Sequence, residues 1–296
     1  MKYLGMGMTS SNQDDFLEMS RFHGAMVSSM TFTVRFPDSR QGMGIRMLFT
    51  DMEGTLFEKQ QVRLRTGDPS YPHSLWSRLM YELGEEALKE DAGTILKWEA
   101  GRYRSYLEWV DESVMILQKH GLSQELFERT LAGIQYNPGV QETFGVLHGH
   151  GIKTAIVTGG FYEQARRAQQ DLRITHAYAA VDLFWSGDGS IAHWNMFPSD
   201  YEGKVDFVRL IMREYGFSRQ ECGFVGDGKN DALVAREVGI SFAYQAHPEL
   251  REASSHAVEE FSQILKWIPG SLTADPFRSS GARSEKESEM HGRSWW

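Results

Sequence analysis

LFTDMEGTL, from Leu48 to Leu56, is the stretch from which the fold of this chain is predicted. The apolar run Ile45 to Thr50 has the length of a buried strand, and it ends where Asp51 and Glu53 begin a turn. Two carboxylates at this spacing can face one pocket as the chain leaves the strand, so one can attack while the other transfers protons. A solvated acidic loop is the alternative interpretation.

Apolar runs of similar length recur along the chain, and amphipathic segments follow them. The runs span Lys153 to Val157, Cys222 to Val225 and Ile240 to Ala243. The spacing predicts helices over Phe161 to Leu172, Lys204 to Tyr215, Asp231 to Val238 and His247 to Ser254, with a further one near Glu259 to Trp267. Short apolar strands alternating with helices are typical of a parallel sheet covered on both faces. The sequence therefore predicts an α/β, Rossmann-like fold.

A long segment with helical spacing interrupts this alternation after the first strand. From about Phe57 to Asn137, apolar residues recur at intervals of three and four, and no run favours a strand. Pro138 and Gly139 mark the return to the α/β layers. An insertion here lies above the carboxyl ends of the strands, where open α/β sheets bind ligands. We therefore expect a core of residues 45–57 and 138–268 and an inserted helical cap of residues 58–137.

Three further groups of polar residues end predicted strands or begin predicted helices. Thr158-Gly159-Gly160 supplies a hydroxyl and two small residues whose N–H groups can approach an anion. Lys204 begins a helix, where a cation is unfavourable and needs another reason to be present. Asp227 and Asp231 offer two carboxylates four residues apart. All of these groups belong to the carboxyl ends of strands in one predicted sheet.

Taken in order, these groups resemble the four motifs of the haloacid dehalogenase-like (HAD) phosphatases. The match is strongest with the phosphoserine phosphatase-like branch, which has a helical cap after its first motif. The matching phrases are LFTDMEGTL (Leu48 to Leu56), NPG (Asn137 to Gly139), GIKTAIVTGGF (Gly151 to Phe161), EGK (Glu202 to Lys204) and VGDGKNDALV (Val225 to Val234). The resemblance covers the chain from about Arg46 to Ile268. It implies the HAD fold and Mg²⁺-dependent phosphomonoester chemistry.

The resemblance also implies a role for each residue at the matching positions. Asp51 would form an aspartyl-phosphate, and Glu53 would protonate the leaving oxygen and then deprotonate the attacking water. Mg²⁺ would be held by Asp51, the backbone carbonyl of Glu53 and Asp227. The phosphoryl oxygens would be bound by Thr158, Gly159, Lys204 and Asn230. Asp231, together with Asn230, would orient Lys204 or the waters on the metal.

Three departures from the phosphoserine phosphatase pattern bear on the substrate. Glu53 stands where the family usually has Asp, and relatives such as phosphoserine/homoserine phosphotransferases and enolase-phosphatases are similar at this position. Gln60 lies where phosphoserine phosphatases carry a substrate-binding Glu, and residues 107–111 lack their cap Arg. Strict specificity for phosphoserine is therefore not expected.

Aromatic residues are frequent in the predicted cap. Either they form an ordinary helical core or they line a substrate pocket; they are Trp76, Trp98, Tyr103, Tyr106 and Trp109. Arg63, Arg65, Arg102 and Arg104 are either solvated or include one that contacts the leaving group. We take the second possibility as a hypothesis, with Arg102 or Arg104 meeting a second anionic group.

Composition excludes several other classes of protein. The 296 residues carry a net charge of −9, which argues against binding to nucleic acid or to an anionic membrane surface. Cys222 is the only cysteine, so a disulfide framework and a multi-thiolate metal site are excluded. No apolar run has the length of a membrane span, and we expect a cytoplasmic monomer or homodimer. Residues 1–44 are interpreted as a disordered or mis-started leader and residues 269–296 as a disordered tail.

The sequence thus predicts a Mg²⁺-dependent phosphatase that acts on a small phosphorylated metabolite. Two alternatives stay open. One is a phosphotransferase that passes the phosphoryl group from Asp51 to an alcohol such as homoserine. The other is a catalytically idle HAD-like module that binds a partner.

Overall fold

One mostly parallel sheet organises the chain. The structure is a computed structural model that describes residues 44–59 and 74–267, and seven strands of these residues form the sheet. In chain order they are β1 Met47–Thr50, β2 Lys153–Phe161, β3 His176–Trp185, β4 Ile191–Met196, β5 Cys222–Gly226, β6 Ile240–Tyr244 and β7 His256–Val258. Across the sheet the order is β4-β3-β2-β1-β5-β6-β7, and only β4 is antiparallel to its neighbour. The predicted α/β fold is confirmed.

Helices cover both faces of this sheet. The α-helices of the described residues are α1 Leu75–Leu83, α2 Glu85–Glu99, α3 Tyr106–Lys119, α4 Gln124–Ala132, α5 Val140–Gly149, α6 Tyr162–Asp171, α7 Tyr201–Tyr215, α8 Ala232–Ala235 and α9 Pro248–Ala253, of which α5 to α8 supply buried residues to the two faces. Leu48 of β1 belongs to one buried cluster with residues of α5 and α6, whereas Met47 and Phe49 belong to another with residues of α7 and α8. Alternate side chains of β1 therefore serve opposite layers, which explains why its run is apolar throughout.

The predicted helices are found with three differences. Helix α7 begins at Tyr201, three residues before its predicted start at Lys204. The predicted helix Asp231 to Val238 is a 3₁₀ turn over Lys229–Asp231 followed by the short α8, because the chain must turn into β6 where the Gly239 N–H bonds to two carbonyls of the preceding loop and strand. The last predicted helix is a 3₁₀ helix over Phe261–Trp267.

Three strands were missed and one was ended too early. Strands β3 and β4 form an antiparallel pair at one edge of the sheet, and the three-residue β7 forms the other edge. Edge strands are partly solvated, so exposed His193 and Asn195 alternate with half-buried neighbours and no apolar run marks β4. Strand β2 continues to Phe161 with a register shift after Thr158. The segment Thr158-Gly159-Gly160 therefore belongs to β2, whose predicted run ends at Val157.

Helices α1 to α4 lie between β1 and α5 in the chain, as the helical spacing predicts. Ser74, Ser105 and Ser123 precede α1, α3 and α4, and each side chain accepts an N–H from the first turn of its helix. The proposed division into core and cap stays a prediction. The predicted tail and the predicted leader, apart from Gly44, lie outside the described residues, as do Gln60, Arg63 and Arg65.

The hairpin of β3 and β4 holds α3 and α4 against the sheet edge. The indole N–H of Trp194 donates to Asp111 of α3 at 2.9 Å, and the Gln118 side chain donates to the carbonyl of Ile191 at 2.9 Å. The N–H of Gln124, at the start of α4, donates to the carbonyl of Gly189 at 2.8 Å. These bonds fix one side of the helical segment to the sheet.

Asn137 fastens the turn after β1. Its amide nitrogen lies 3.3, 2.9 and 3.1 Å from the carbonyl oxygens of Gly54, Thr55 and Phe57. One side chain at the return to the sheet therefore satisfies the backbone of the turn that follows Asp51.

Replacing Asn137 by Ala should lower the free energy of unfolding by about 1–3 kcal/mol, because partly buried carbonyls lose their donor. Urea denaturation measures this change. The matched control is Gln135→Ala, since the exposed Gln135 amide donates to a single carbonyl, that of Gly133, at 3.2 Å. Equal losses in the two variants would contradict the role of Asn137.

Glu163 places a carboxylate in a poorly solvated position in the first turn of α6. Burial raises its pKa to about 7, and the nearby charge of Asp182 adds to the effect. Its Oε1 accepts the N–H of Leu183 at 3.3 Å, whereas the buried Oε2 has no hydrogen-bond partner among the described residues. The folded protein therefore holds a proton here up to about pH 7, and the unfolded chain releases it near the ordinary pKa of 4.5.

Because the folded state binds this proton more tightly, lowering the pH from 8 to 5.5 should stabilise the wild-type protein relative to Glu163→Gln by about 2 kcal/mol. Denaturant unfolding at the two pH values measures the difference. Glu142→Gln, at an exposed glutamate in the first turn of α5, should show the same difference from wild type at both pH values. A pH-independent effect of Glu163→Gln would refute the raised pKa.

Candidate active site

The polar residues that the sequence singled out converge at the carboxyl ends of β1, β2 and β5. These strands are neighbours in the sheet, so Asp51, Thr158 and Asp227 lie side by side. A cavity of about 790 Å³ opens above them. Its lining includes Asp51, Glu53, Thr158, Gly159, Asp227 and Asn230 from the predicted site.

Lys204 lies beneath this cavity and is completely buried. Its Nζ lies 2.7 Å from Asp51 Oδ1, 2.6 Å from Asp231 Oδ1 and 3.5 Å from an oxygen of Asp200. Burial by itself would lower the pKa of Lys204, but the surrounding carboxylates outweigh it and raise the pKa well above its ordinary value. The ammonium is therefore a permanent positive charge, which gives the reason for a lysine near a helix N-terminus.

Asp51 is a buried carboxylate among other charges. Burial raises its pKa well above the ordinary value, against the attraction of the Lys204 ammonium, and the charges of Asp231 and Asp227 raise it further. The site therefore holds more negative charge than Lys204 alone can balance. An added cation would relieve this excess.

Three carboxylates of this group can approach a single metal ion. Oxygens of Asp51, Asp227 and Asp231 lie within 4.8 Å of one another. The Oδ2 of Asp231 already accepts the N–H groups of Asp227 and Gly228, at 3.1 and 3.0 Å, and its Oδ1 accepts from Lys204. Asp227 instead faces the partly exposed ammonium of Lys59 at 2.9 Å, so it already stabilises a cation. An all-oxygen, negatively charged set of donors suits Mg²⁺.

A glycine brings the Asp227 carboxylate close to the turn after β1. Gly54 has φ +78°, and a Cβ atom there would lie 2.4 Å from Asp227 Oδ2. The adjacent Thr55 hydroxyl donates to Asp227 Oδ1 at 3.0 Å. Only glycine combines this backbone conformation with this approach.

Glu53 connects the turn after β1 to helix α1. Its Oε1 accepts the N–H of Leu75, the first residue of α1, at 2.5 Å. Burial raises the pKa of Glu53 to about 7, opposed by this hydrogen bond and assisted by the charges of Asp227 and Asp200. A carboxyl group with such a pKa can both donate and accept a proton near neutral pH.

Of the four predicted phosphate-binding residues, three line the cavity and Lys204 does not. Thr158 and Gly159 line the cavity, and a Cβ at Gly159 would lie 2.5 Å from Asp200 Oδ2, so only glycine fits. Lys204 has no exposed surface, and among the described residues its ammonium pairs with carboxylates. Asn230 donates to Asp200 Oδ1 at 2.7 Å and does not bond to Lys204. Asp200 in turn lies 3.5 Å from Lys204 Nζ, so Asn230 reaches Lys204 through Asp200.

Asp200 is the site residue that the sequence analysis missed. It precedes α7 and lies four residues before Lys204, one helical turn away. An Asp at this position is common as a helix cap. Its side chain makes no cap hydrogen bond, and its oxygens face Lys204 and Asn230 instead. The spacing of four residues between Asp200 and Lys204, which allows an ion pair across one helical turn, could have indicated this residue from the sequence.

Four of the five aromatic residues noted in the sequence line the cavity: Trp76, Trp98, Tyr106 and Trp109. Tyr103 instead donates its hydroxyl to Glu112 at 2.8 Å. Arg104 pairs with Glu108 and leaves 90% of its side chain exposed, and the exposed Arg102 is not among the described lining residues. The described arginines therefore give no support to the hypothesis of an arginine on the leaving group.

Cys222 lies inside the sheet, as the sequence analysis expects. It is fully buried in β5, and burial raises the pKa of its thiol to about 12. A thiol that stays protonated is no nucleophile.

Among the described helices, none combines the length and the hydropathy that a membrane span requires.

Comparison with known proteins places this site in a family. Residues 45–239 match the family model of the haloacid dehalogenase-like hydrolases. The chain is similar to a probable phosphoserine phosphatase of Schizosaccharomyces pombe, with 28% identity over 57% of this chain and 57% of that protein. It is also similar to a phosphoserine phosphatase of Streptococcus thermophilus, with 27% identity over 60% of this chain and 82% of that protein. The matched part thus spans little more than half of the first relative.

Solved structures agree on the fold. The structure of a phospho-aspartyl intermediate analogue of phosphoserine phosphatase superposes with a TM-score of 0.61 at 21% identity, and it covers 76% of this chain and 99% of that one. Since the family model covers well over half of the residues, the chain belongs to the haloacid dehalogenase-like hydrolase family.

Proposed function

We propose that the protein is a Mg²⁺-dependent phosphatase that hydrolyses a small phosphomonoester through an aspartyl-phosphate on Asp51. The observation that carries this proposal is the contact of the cavity-lining Asp51 carboxylate with the buried Lys204 ammonium at 2.7 Å. A permanent cation at this distance opposes the burial that raises the pKa of Asp51, which favours the carboxylate form that a nucleophile needs, and it balances charge on the transferred group. The phosphatases named among its relatives support the same chemistry.

Two side chains carry the covalent steps. An oxygen of Asp51 forms a bond to phosphorus while the bond from phosphorus to the leaving oxygen breaks, and Glu53 gives its proton to that oxygen. Glu53 then takes a proton from a water, whose oxygen attacks phosphorus and releases Asp51 and inorganic phosphate. The pKa of about 7 at Glu53 suits a group that must donate and accept in turn.

The donors around Asp51 fit a bound Mg²⁺. We infer that Asp51, Asp227 and the backbone carbonyl of Glu53 would hold it, with Asp231 engaged by Lys204 and by backbone N–H groups. When bound, the ion would neutralise carboxylates and phosphate oxygens that otherwise repel one another. The Thr158 hydroxyl and the Gly159 N–H would bind phosphoryl oxygens directly, whereas Asn230 would act by holding Asp200.

The helices above the sheet would enclose the substrate. We propose that residues 45–57 and 138–268 form the catalytic core and residues 58–137 the cap, because the cavity is lined from both parts of the chain. Glu53 of the core and Leu75 of the cap meet at its edge. Closure of the cap would exclude water from the phosphoryl group.

Asp51→Asn should lower Mg²⁺-dependent hydrolysis of p-nitrophenyl phosphate by about a thousandfold or more, because the amide is no nucleophile. Asp206→Asn, an exposed change on α7, is the matched control and should keep wild-type activity. Substantial residual activity in a folded Asp51→Asn protein would exclude the proposed intermediate.

Adding homoserine to the wild-type reaction should leave phosphate release constant. A fall in phosphate release would instead favour transfer of the phosphoryl group to an alcohol.

Glu53→Gln should affect substrates according to their leaving groups. An alkyl alcohol needs a proton to leave, so formation of the phospho-enzyme from an alkyl phosphate should slow by about 10²–10⁴-fold. p-Nitrophenol leaves without help, and the variant should therefore release one equivalent in a burst and then stall, since no base activates the water. Rapid-quench kinetics measures both effects. Equal slowing of the two substrates with no burst would contradict the assignment of Glu53.

A further inference from the structure

Four aromatic rings form one side of the cavity, which we call the aromatic wall: Trp98, Tyr106, Trp109 and Tyr201. The ring of Trp98 stacks on Trp109 with centroids 4.9 Å apart and lies 5.2 Å from the ring of Tyr201. The Tyr106 ring stands edge-on to both tryptophans at 6.1 Å. All four side chains are half-buried, so ring surface remains open to the cavity.

The aromatic wall begins beside the proposed phosphate site. The Tyr106 hydroxyl lies 3.5 Å from the carbonyl oxygen of Gly159, and Trp76 donates its indole N–H to the same oxygen at 3.2 Å. A phosphoryl group at Thr158 and Gly159 would therefore direct its ester substituent towards these rings. The wall is placed to contact the leaving alcohol.

Tyr201 reaches the wall through an unusual backbone conformation. It is the first residue of α7 and has φ +48°, a region that bulky side chains rarely adopt. Such a conformation persists only where the surroundings impose it. The arrangement keeps the Tyr201 ring against Trp98 and beside the cavity.

The charges around the wall favour a cation over an anion. Within the described lining, the two lysines are both paired, Lys59 with Asp227 at 2.9 Å and Lys229 with Glu99 at 3.7 Å. The same lining contains no arginine. Carboxylates of Asp91 and Glu99 come from α2, the helix that carries Trp98. The described lining contains six carboxylate side chains against two lysines and one histidine, so its balance of charge disfavours an anionic leaving group.

We propose that the aromatic wall binds a cationic leaving group, so that the substrate is the phosphate ester of an ammonium alcohol that carries no carboxylate. This inference rests on the proposed phosphatase function. Ring faces carry negative partial charge and attract ammonium groups, most strongly where water is partly excluded. Apolar contact alone would not distinguish a cation from a neutral group of the same shape, and the test depends on this difference.

Phosphocholine and 3,3-dimethylbutyl phosphate form the decisive pair of substrates, because they have the same shape and differ in the charge of one central atom. Wild-type kcat/KM should be about tenfold higher for phosphocholine. It should also exceed kcat/KM for O-phosphoserine, whose carboxylate would enter a lining with more carboxylates than lysines. Equal or higher kcat/KM for the neutral ester, or a preference for O-phosphoserine, would overturn the proposal.

Variants locate the preference in the wall. In Trp98→Leu, the ratio of kcat/KM for phosphocholine to that for the neutral ester should fall towards one. Tyr201→Asn should act in the same direction, and asparagine tolerates the positive φ, so this variant serves if Trp98→Leu does not fold. The matched control is Trp267→Leu, since Trp267 is half-buried against His256 and is not among the cavity residues. An unchanged ratio in both wall variants would refute the assignment.

A binding measurement separates this inference from the proposed function. Choline should quench the tryptophan fluorescence of the wild-type protein with a lower Kd than 3,3-dimethylbutanol, and Trp98→Leu should abolish the difference. If no phosphomonoester is hydrolysed while choline binds selectively, the proposed function fails and the wall is supported. If small phosphomonoesters are hydrolysed and choline shows no selectivity, the wall proposal fails alone.

Discussion

The buried ammonium of Lys204 is the charge on which the site depends. Asp51 and Asp231 are themselves buried, and without a cation their mutual repulsion and the loss of hydration would oppose folding. Lys204 lies 2.7 Å or less from both carboxylates, and it comes from a helix that packs on the opposite side of the sheet from α5 and α6. The end of β1, the loop after β5 and the start of α7 are thus joined by one charged group.

The surrounding backbone is built around these charges. Asp231 accepts two N–H groups of its own loop, which fixes the position of Asp227. Asp227 can approach the turn after β1 only because residue 54 is glycine, and Asn137 holds the carbonyls of that turn. The backbone of these two loops is arranged so that a small number of hydrogen-bond donors serves several buried carboxylates.

The sequence predicted what is buried on both faces and missed what is half-exposed. Strands β1, β5 and β6 are continuous apolar runs, so they were found, whereas β3 and β4 mix Asp182, His193 and Asn195 with apolar residues. Asp51, Lys204 and Asp227 were found because each belongs to a motif. Asp200 was missed because an Asp before a helix is also an ordinary cap, and only the structure shows where its oxygens point. The same limit applies to Tyr201, whose backbone conformation no sequence pattern marks.

The hydrogen bonds from the β3–β4 hairpin fix α3 and α4 to one edge of the sheet. The bond between Glu53 and the Leu75 N–H instead joins the turn after β1 to the first residue of α1. This bond lowers the pKa of Glu53, so any movement of α1 that lengthened it would raise that pKa. The position of α1 and the acidity of the group proposed to protonate the leaving oxygen are therefore linked through this hydrogen bond.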